Sequence, residues 1–183
     1  MVATDPIDEI FRLFAAYGTS KYDEKVSLAD HCLQTAELAR DQQANREVVA
    51  AALLHDLGHF MLAEARGNEE FRTVDWEHDR VAAEWIRPRF GNTVADAVGG
   101  HVAAKRWLCH AEPEYYDRLS PSSRDSLAVQ GGPFTAEEAR RFESEASFDT
   151  AVALRRWDDD GKVAGLEIAP LTSYEPLLRS LLR

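Results

Sequence analysis

Near the end of an apolar run, Ala51-Ala52-Leu53-Leu54, a histidine and an aspartate stand side by side as His55 and Asp56. Burying an unpaired carboxylate is costly, so an aspartate in such a place needs a cation to hold. Taken alone, the pair also reads as a helix end, with Gly58 as left-handed cap and His55 near the negative end of the dipole. Three more histidines, His31, His78 and His101, and a further aspartate, Asp158, fall on inward faces of other segments. Singly, each suits a hydrogen-bonded core residue as well as a ligand. Together they are nitrogen and carboxylate donors with no sulfur among them, a set that suits iron, manganese, nickel or zinc. It is too large for one ion. Two cations, Lys105 and Arg155, lie one turn or less from His101 and Asp158. Such groups suit an anionic, oxygen-rich ligand, Arg above all for paired oxygens, and their alternative use is salt bridging to surface carboxylates.

The elements that must position these side chains read as helices throughout. Asp5 caps and Pro6 opens a first helix, in which Ile7, Ile10, Phe11 and Phe14 share a face before Gly18 ends it. A second runs from Ser27 to about Asp41, with Leu28, His31, Thr35 and Leu38 on one face. Asn45 caps a third, whose alanines permit close packing and whose last turn presents His55 and Asp56. Residues 63–74 read as a charged surface loop, after which Asp75 caps a helix carrying His78, Val81, Ala82 and Trp85 that Pro88 stops. Asn92 opens the next, where Val94, Val98, His101 and Lys105 form one stripe. Short pieces follow from Pro113 and from Ser120-Pro121 to about Gln130, then a break at Gly131-Gly132-Pro133. Thr135 to Glu138 is a capping box, and Ser147 caps a helix that sets Phe148, Ala151, Val152, Arg155 and Asp158 on one side. A last helix carries Leu177, Leu178, Leu181 and Leu182. The expectation is an all-α chain, residues 1–183 as a single domain, without repeats or linkers.

With 21 basic and 32 acidic residues the formal charge is −11, and no basic block is present. That balance argues against nucleic acid and anionic membrane as partners, and any anion site must be locally positive. The start, Met1-Val2-Ala3-Thr4-Asp5-Pro6, has neither the basic residues nor the apolar core of a signal peptide. No apolar run is expected to span a membrane. Cys32 and Cys109 suggest no disulfide framework, and a cytoplasmic setting is the expectation.

The order His31 … His55-Asp56 … Asp158 resembles the HD-domain superfamily of helical metalloproteins. His78 and His101 stand where its two-metal members have additional histidines. The stretches Gly100-His101-Val102-Ala103-Ala104-Lys105-Arg106, Gln130-Gly131-Gly132-Pro133 and Arg155-Arg156-Trp157-Asp158 narrow the likeness to the PhnZ-like phosphonate-cleaving oxygenases, distant relatives of myo-inositol oxygenase. The resemblance, from about Tyr22 to Gly161, implies a helical bundle with a dinuclear centre. One iron would take His31, His55, Asp56 and Asp158, and the other His78 and His101, with Asp56 bridging. It implies a mixed-valence Fe(II)/Fe(III) pair that uses O2 to oxidise the carbon next to phosphorus, releasing phosphate. The implied substrate is an organophosphonate, a 1-hydroxyphosphonate with an amino or trimethylammonio group on the neighbouring carbon, giving glycine or glycine betaine. Lys105, His59, Ser123, Gln130 and Arg155 would surround the phosphonate, His59 and Lys105 nearest the chemistry, while Tyr22 and Glu24 would receive the cationic end. Asp159 and Asp160 compete with Asp158 as ligand, which is favoured by its register with Arg155 and by the family's Trp-Asp pair. The same ligands would also serve a phosphohydrolase, in which a metal-bound hydroxide attacks a phosphate ester, or a metal-stabilised binding module without turnover.

Overall fold

The computed structural model describes residues 5–20, 26–66 and 76–183. Helices account for every regular element among them. In α1 (Pro6–Tyr17) the Asp5 side chain accepts from the Ile7 amide at 2.7 Å, and Ile7, Ile10, Leu13 and Phe14 are buried. Ser27 caps α2 (Leu28–Asp41) and Asn45 caps α3 (Arg46–Leu54), each through its side chain. Every residue of α3 from Val48 to Leu54 is buried. Its three consecutive alanines therefore let α2, α6 (Asn92–Ala111) and α10 (Phe148–Asp160) close around it.

Two expectations fail just after α3. Gly58 is no left-handed cap, because the chain breaks only at His55 and Asp56 and resumes as α4 (Leu57–Arg66). The loop expected over 63–74 is helical as far as Arg66, and residues 67–75 lie outside the described residues. The helix persists because Leu57, Phe60, Leu62 and Ala63 are buried, while Glu64 faces outward to pair with Arg12 at 2.5 Å. Joined end to end, Arg46–Ala65 is long and apolar enough to cross a membrane by composition, contrary to expectation. It is 72% buried within the bundle, and so reads as a bent core element.

Asp75, the expected cap of the next helix, also lies outside the described residues. That helix, α5 (His78–Phe90), starts at His78 behind Glu77, whose backbone is left-handed at φ 50°. Pro88 sits inside its last turn instead of stopping it. So near the end a proline forfeits a single backbone bond, and buried Phe90 anchors the turn. A Cβ at Gly58 would collide with the His78 carbonyl, so this glycine sets how closely α5 approaches the break. The remaining pieces, α7 (Tyr115–Arg118), α8 (Pro121–Val129) and α9 (Ala136–Glu143), lie against α6 or the small cluster of Leu108, Tyr115, Leu119 and Leu127. A 3-10 turn over Leu171–Tyr174 leads into α11 (Glu175–Leu181).

Candidate metal centre

The break between α3 and α4 points the Asp56 carboxylate into the middle of the bundle, where it is 1% exposed. Its two oxygens face different partners. On one side Oδ2 lies 3.4 Å from His55 Nε2 and 3.6 Å from His31 Nε2. On the other, Oδ1 lies 3.5 Å from His78 Nε2 and 3.7 Å from His101 Nε2. Within each pair the nitrogens are 3.1 Å apart. Asp158, from the last turn of α10, brings Oδ1 to 3.4 Å from His31 Nε2. All six residues foreseen as ligands thus converge, and they divide as two groups sharing Asp56.

The backbone fixes how the rings present themselves. His31 Nδ1 donates to the Gly161 carbonyl at 2.9 Å, His55 Nδ1 to Ala52 at 2.8 Å and His101 Nδ1 to Val98 at 2.7 Å. With Nδ1 carrying the proton, each Nε2 turns a lone pair to the centre, the arrangement that orients a metal-binding imidazole. Nearly water-free and crowded with lone pairs, such a cluster calls for cations at its middle. Asp56 Oδ2, buried and accepting no hydrogen bond of good geometry among the described residues, is the sharpest sign of it.

The electrostatics agree. Burial pushes His78 well below its ordinary value and His101 down to about 4, with His59 and His55 respectively adding repulsion. Both are therefore neutral at pH 7 and ready to ligate without releasing a proton. Burial also acts on His55, but the adjacent Asp56 carboxylate outweighs it and the net shift is upward. Burial alone would raise Asp56 and Asp158. His55 and His59 hold Asp56 well below the carboxylate range, and Arg155 and Lys162 do the same for Asp158.

Around the cluster, His59 stacks on His78 with ring centroids 3.9 Å apart and Nε2 3.8 Å from Asp56 Oδ1. Lys105 is buried and donates to Ser126 Oγ at 2.7 Å, an anchor that the sequence did not suggest. Ser123 is buried nearby and receives a 3.3 Å hydrogen bond from Lys162, another residue not foreseen. Arg155 is buried as well, but its guanidinium is engaged by Asp158 at 2.6 Å, by Asp159 and by the Tyr115 hydroxyl at 3.1 Å. Asp159 bonds Arg155 and Tyr115, whereas Asp158, which also holds Arg155, is the one that reaches His31. Gln130 borders an open groove of about 680 Å³ between α5, α6 and the start of α10, and none of the six clustered residues lines that groove. Tyr22 and Glu24 lie outside the described residues.

The sequence is similar to proteins of known kind. A family model for the HD domain matches residues 28–129. The chain is 41% identical over 176 residues to a hydroxymethylphosphonate dioxygenase of Gimesia maris, covering 96% of this chain and 88% of the relative. It is 36% identical over 176 residues to a [1-hydroxy-2-(trimethylamino)ethyl]phosphonate dioxygenase (glycine-betaine-forming) of Leisingera caerulea, covering 96% and 89%. An uncharacterised protein of Acanthamoeba polyphaga mimivirus is 31% identical over 174 residues, covering 94% and 80%.

Proposed function

The chain belongs to the HD-domain family, and on that premise we propose that it is a diiron oxygenase cleaving the carbon–phosphorus bond of a 1-hydroxyphosphonate. One observation carries the reading: a single carboxylate, Asp56, turns one oxygen to each of two histidine pairs. Relatives named for the dioxygenation of two different 1-hydroxyphosphonates support the substrate class. Their names share a hydroxyl on the carbon bonded to phosphorus and differ in whether a trimethylamino group follows. A substrate with an amino or trimethylammonio group, as the resemblance implies, is proposed alongside hydroxymethylphosphonate.

His31, His55, Asp56 and Asp158 would hold one iron, and Asp56, His78 and His101 the other. When bound, a mixed-valence iron pair supplies O2 activation and removal of hydrogen from the hydroxyl-bearing carbon. The chain's own part is positioning and charge. Lys105 meets the phosphonate, and Ser123 offers it a hydroxyl. Arg155 keeps Asp158 ionised and aimed at the centre. His59, which burial holds below its ordinary pKa, is a neutral base beside the cluster that can take the substrate's hydroxyl proton. The overall change balances without further reductant: hydroxymethylphosphonic acid and O2 give formic and phosphoric acids. Two free cysteines fit the reducing cytoplasm proposed as its setting.

The test is to load the protein with iron and follow phosphate and O2 together. Hydroxymethylphosphonate, 1-hydroxy-2-aminoethylphosphonate and the trimethylated analogue are the substrates. Phosphate should appear in step with O2 consumed and stop under nitrogen. Equal phosphate release without O2 would instead mark a hydrolase.

A pH dependence follows from Lys105. Burial, with Arg155 adding to it, brings its ammonium down to about 7. Above that pH the resting group is increasingly neutral, and an arriving dianion must draw a proton to it. Affinity should therefore fall between pH 8 and pH 9, by up to about tenfold. Anaerobic calorimetry with hydroxymethylphosphonate, whose own charge is settled there, measures this. A flat affinity would mean that Lys105 does not meet the anion.

A further inference from the structure

Gln34 on α2 is 3% exposed, and both ends of its side-chain amide are spent on one distant residue. Its Nε2 donates to the Val163 carbonyl and its Oε1 accepts from the Val163 N–H, each at 2.9 Å. The amide thus pairs with that backbone as a neighbouring strand would. The segment it grips is not held by regular structure. From Gly161 to Pro170 the backbone forms no helix, and Val163 and Leu166 are each 50% exposed.

Two residues before Val163, the Gly161 carbonyl accepts from His31 Nδ1 at 2.9 Å. Gly161 reaches that place by lying directly on α2. A Cβ there would stand 2.7 Å from Thr35 Oγ1 and 3.2 Å from the Thr35 nitrogen. His31 and Gln34 are i, i+3 neighbours on one face of α2. The contacts therefore close a circuit. It runs from α2 through the His31 ring to the Gly161 carbonyl, along the backbone to Val163, and back to α2 through Gln34.

The chemistry of the ring gives the circuit its purpose. A neutral imidazole carries its proton on either nitrogen, and an acceptor at Nδ1 favours the form in which Nε2 keeps its lone pair. His55 and His101 each find that acceptor three residues earlier, at Ala52 and Val98, where helix geometry supplies it. His31 takes its acceptor from a carbonyl 130 residues away, just past the end of α10. That carbonyl needs a hold of its own.

We infer that Gln34 is a positioning residue of the metal centre: its grip on Val163 holds the Gly161 carbonyl to His31 Nδ1. His31 Nε2 is thereby kept turned toward the position it shares with His55, Asp56 and Asp158. The inference rests on the reading of the cluster as a metal centre.

The experiment titrates Fe(II) under nitrogen, by calorimetry, into wild type, Gln34→Leu, His78→Ala and the double variant. Wild type should bind in two steps. His78→Ala should keep only the step that belongs to His31, which identifies it. Gln34→Leu should weaken that step by about 10–100-fold, as loss of a group that orients a metal ligand does, and leave the other within about twofold. The double variant should show the same loss in its one remaining step. A general support of the fold would weaken both steps alike, and that result overturns the inference. So does a His31 step that Gln34→Leu leaves unchanged. If Gln34→Leu fails to fold, Gln34→Glu takes its place. It keeps an acceptor for the Val163 N–H, cannot donate to the carbonyl when ionised, and should weaken the His31 step selectively. Wild-type protein that takes up no iron overturns the metal-centre reading and this inference together, whereas two wild-type steps matched by Gln34→Leu overturn the inference alone.

Discussion

Asp56→Ala should leave the purified protein with neither metal position filled, and turnover of a 1-hydroxyphosphonate should fall by at least about a thousandfold, the several kcal/mol a metal Lewis acid supplies. The reason is geometric. Asp56 is the one clustered residue with an oxygen toward both histidine pairs, so its removal strips each group of its shared anion. Two imidazoles, His78 and His101, then hold one position alone, and the other keeps His31, His55 and Asp158 without the central carboxylate. His78→Ala is the comparison, because it touches one group and should spare the other. Metal analysis of both variants decides the matter: a full iron pair retained in Asp56→Ala would sink the shared-carboxylate reading. The fold itself should survive, since the substitution removes a buried carboxylate and leaves His55 bonded to the Ala52 carbonyl as before.

The second large effect is on stability. Arg155→Met should cost about 3–5 kcal/mol, because it removes the closest cation of both Asp158 and Asp159. For a chain of this size that lowers Tm by roughly 6–20 °C. The neighbouring residue provides the control. Arg156 pairs with Glu112 at the surface, and its side chain is 46% exposed. Its loss should cost under about 1 kcal/mol. The sign with pH is fixed by Asp158, whose folded-state pKa lies below its unfolded one. Its contribution is present above about pH 4 and fades as pH falls from there, so the gap between wild type and Arg155→Met should narrow in acid. Thermal melts at pH 7 and pH 3.5 measure both effects. Equal loss in Arg155→Met and Arg156→Met would show that Arg155 carries no buried load.

Much of the centre was legible because it obeys helix periodicity. His31 shares a face with Leu28 and Thr35, and His101 shares one with Val94, Val98 and Lys105, so the type and direction of each ligand could be read together. Asp158 could be read from its register with Arg155, although Asp159 and Asp160 offered the same chemistry one and two residues on. What escaped depends on long-range packing. The α4 helix was hidden because the charges that resemble a loop begin while Leu62 and Ala63 are still buried. Pro88 misled because the turn it enters is held by buried Phe90, which outweighs the one backbone bond that the proline forfeits. The engagement of Arg155 by Tyr115, 40 residues away, leaves no local trace in the sequence. Neither does Lys162, whose direction is set by Gln34, well over 100 residues earlier.

The break between α3 and α4 has one more consequence. His31, His55 and Asp158 are each 1% exposed or less, whereas His78 is 7% exposed and stands on the first residue of α5. The two positions beside Asp56 are therefore unequal in exposure as well as in donors, the more open one lying where α5 begins against Gly58.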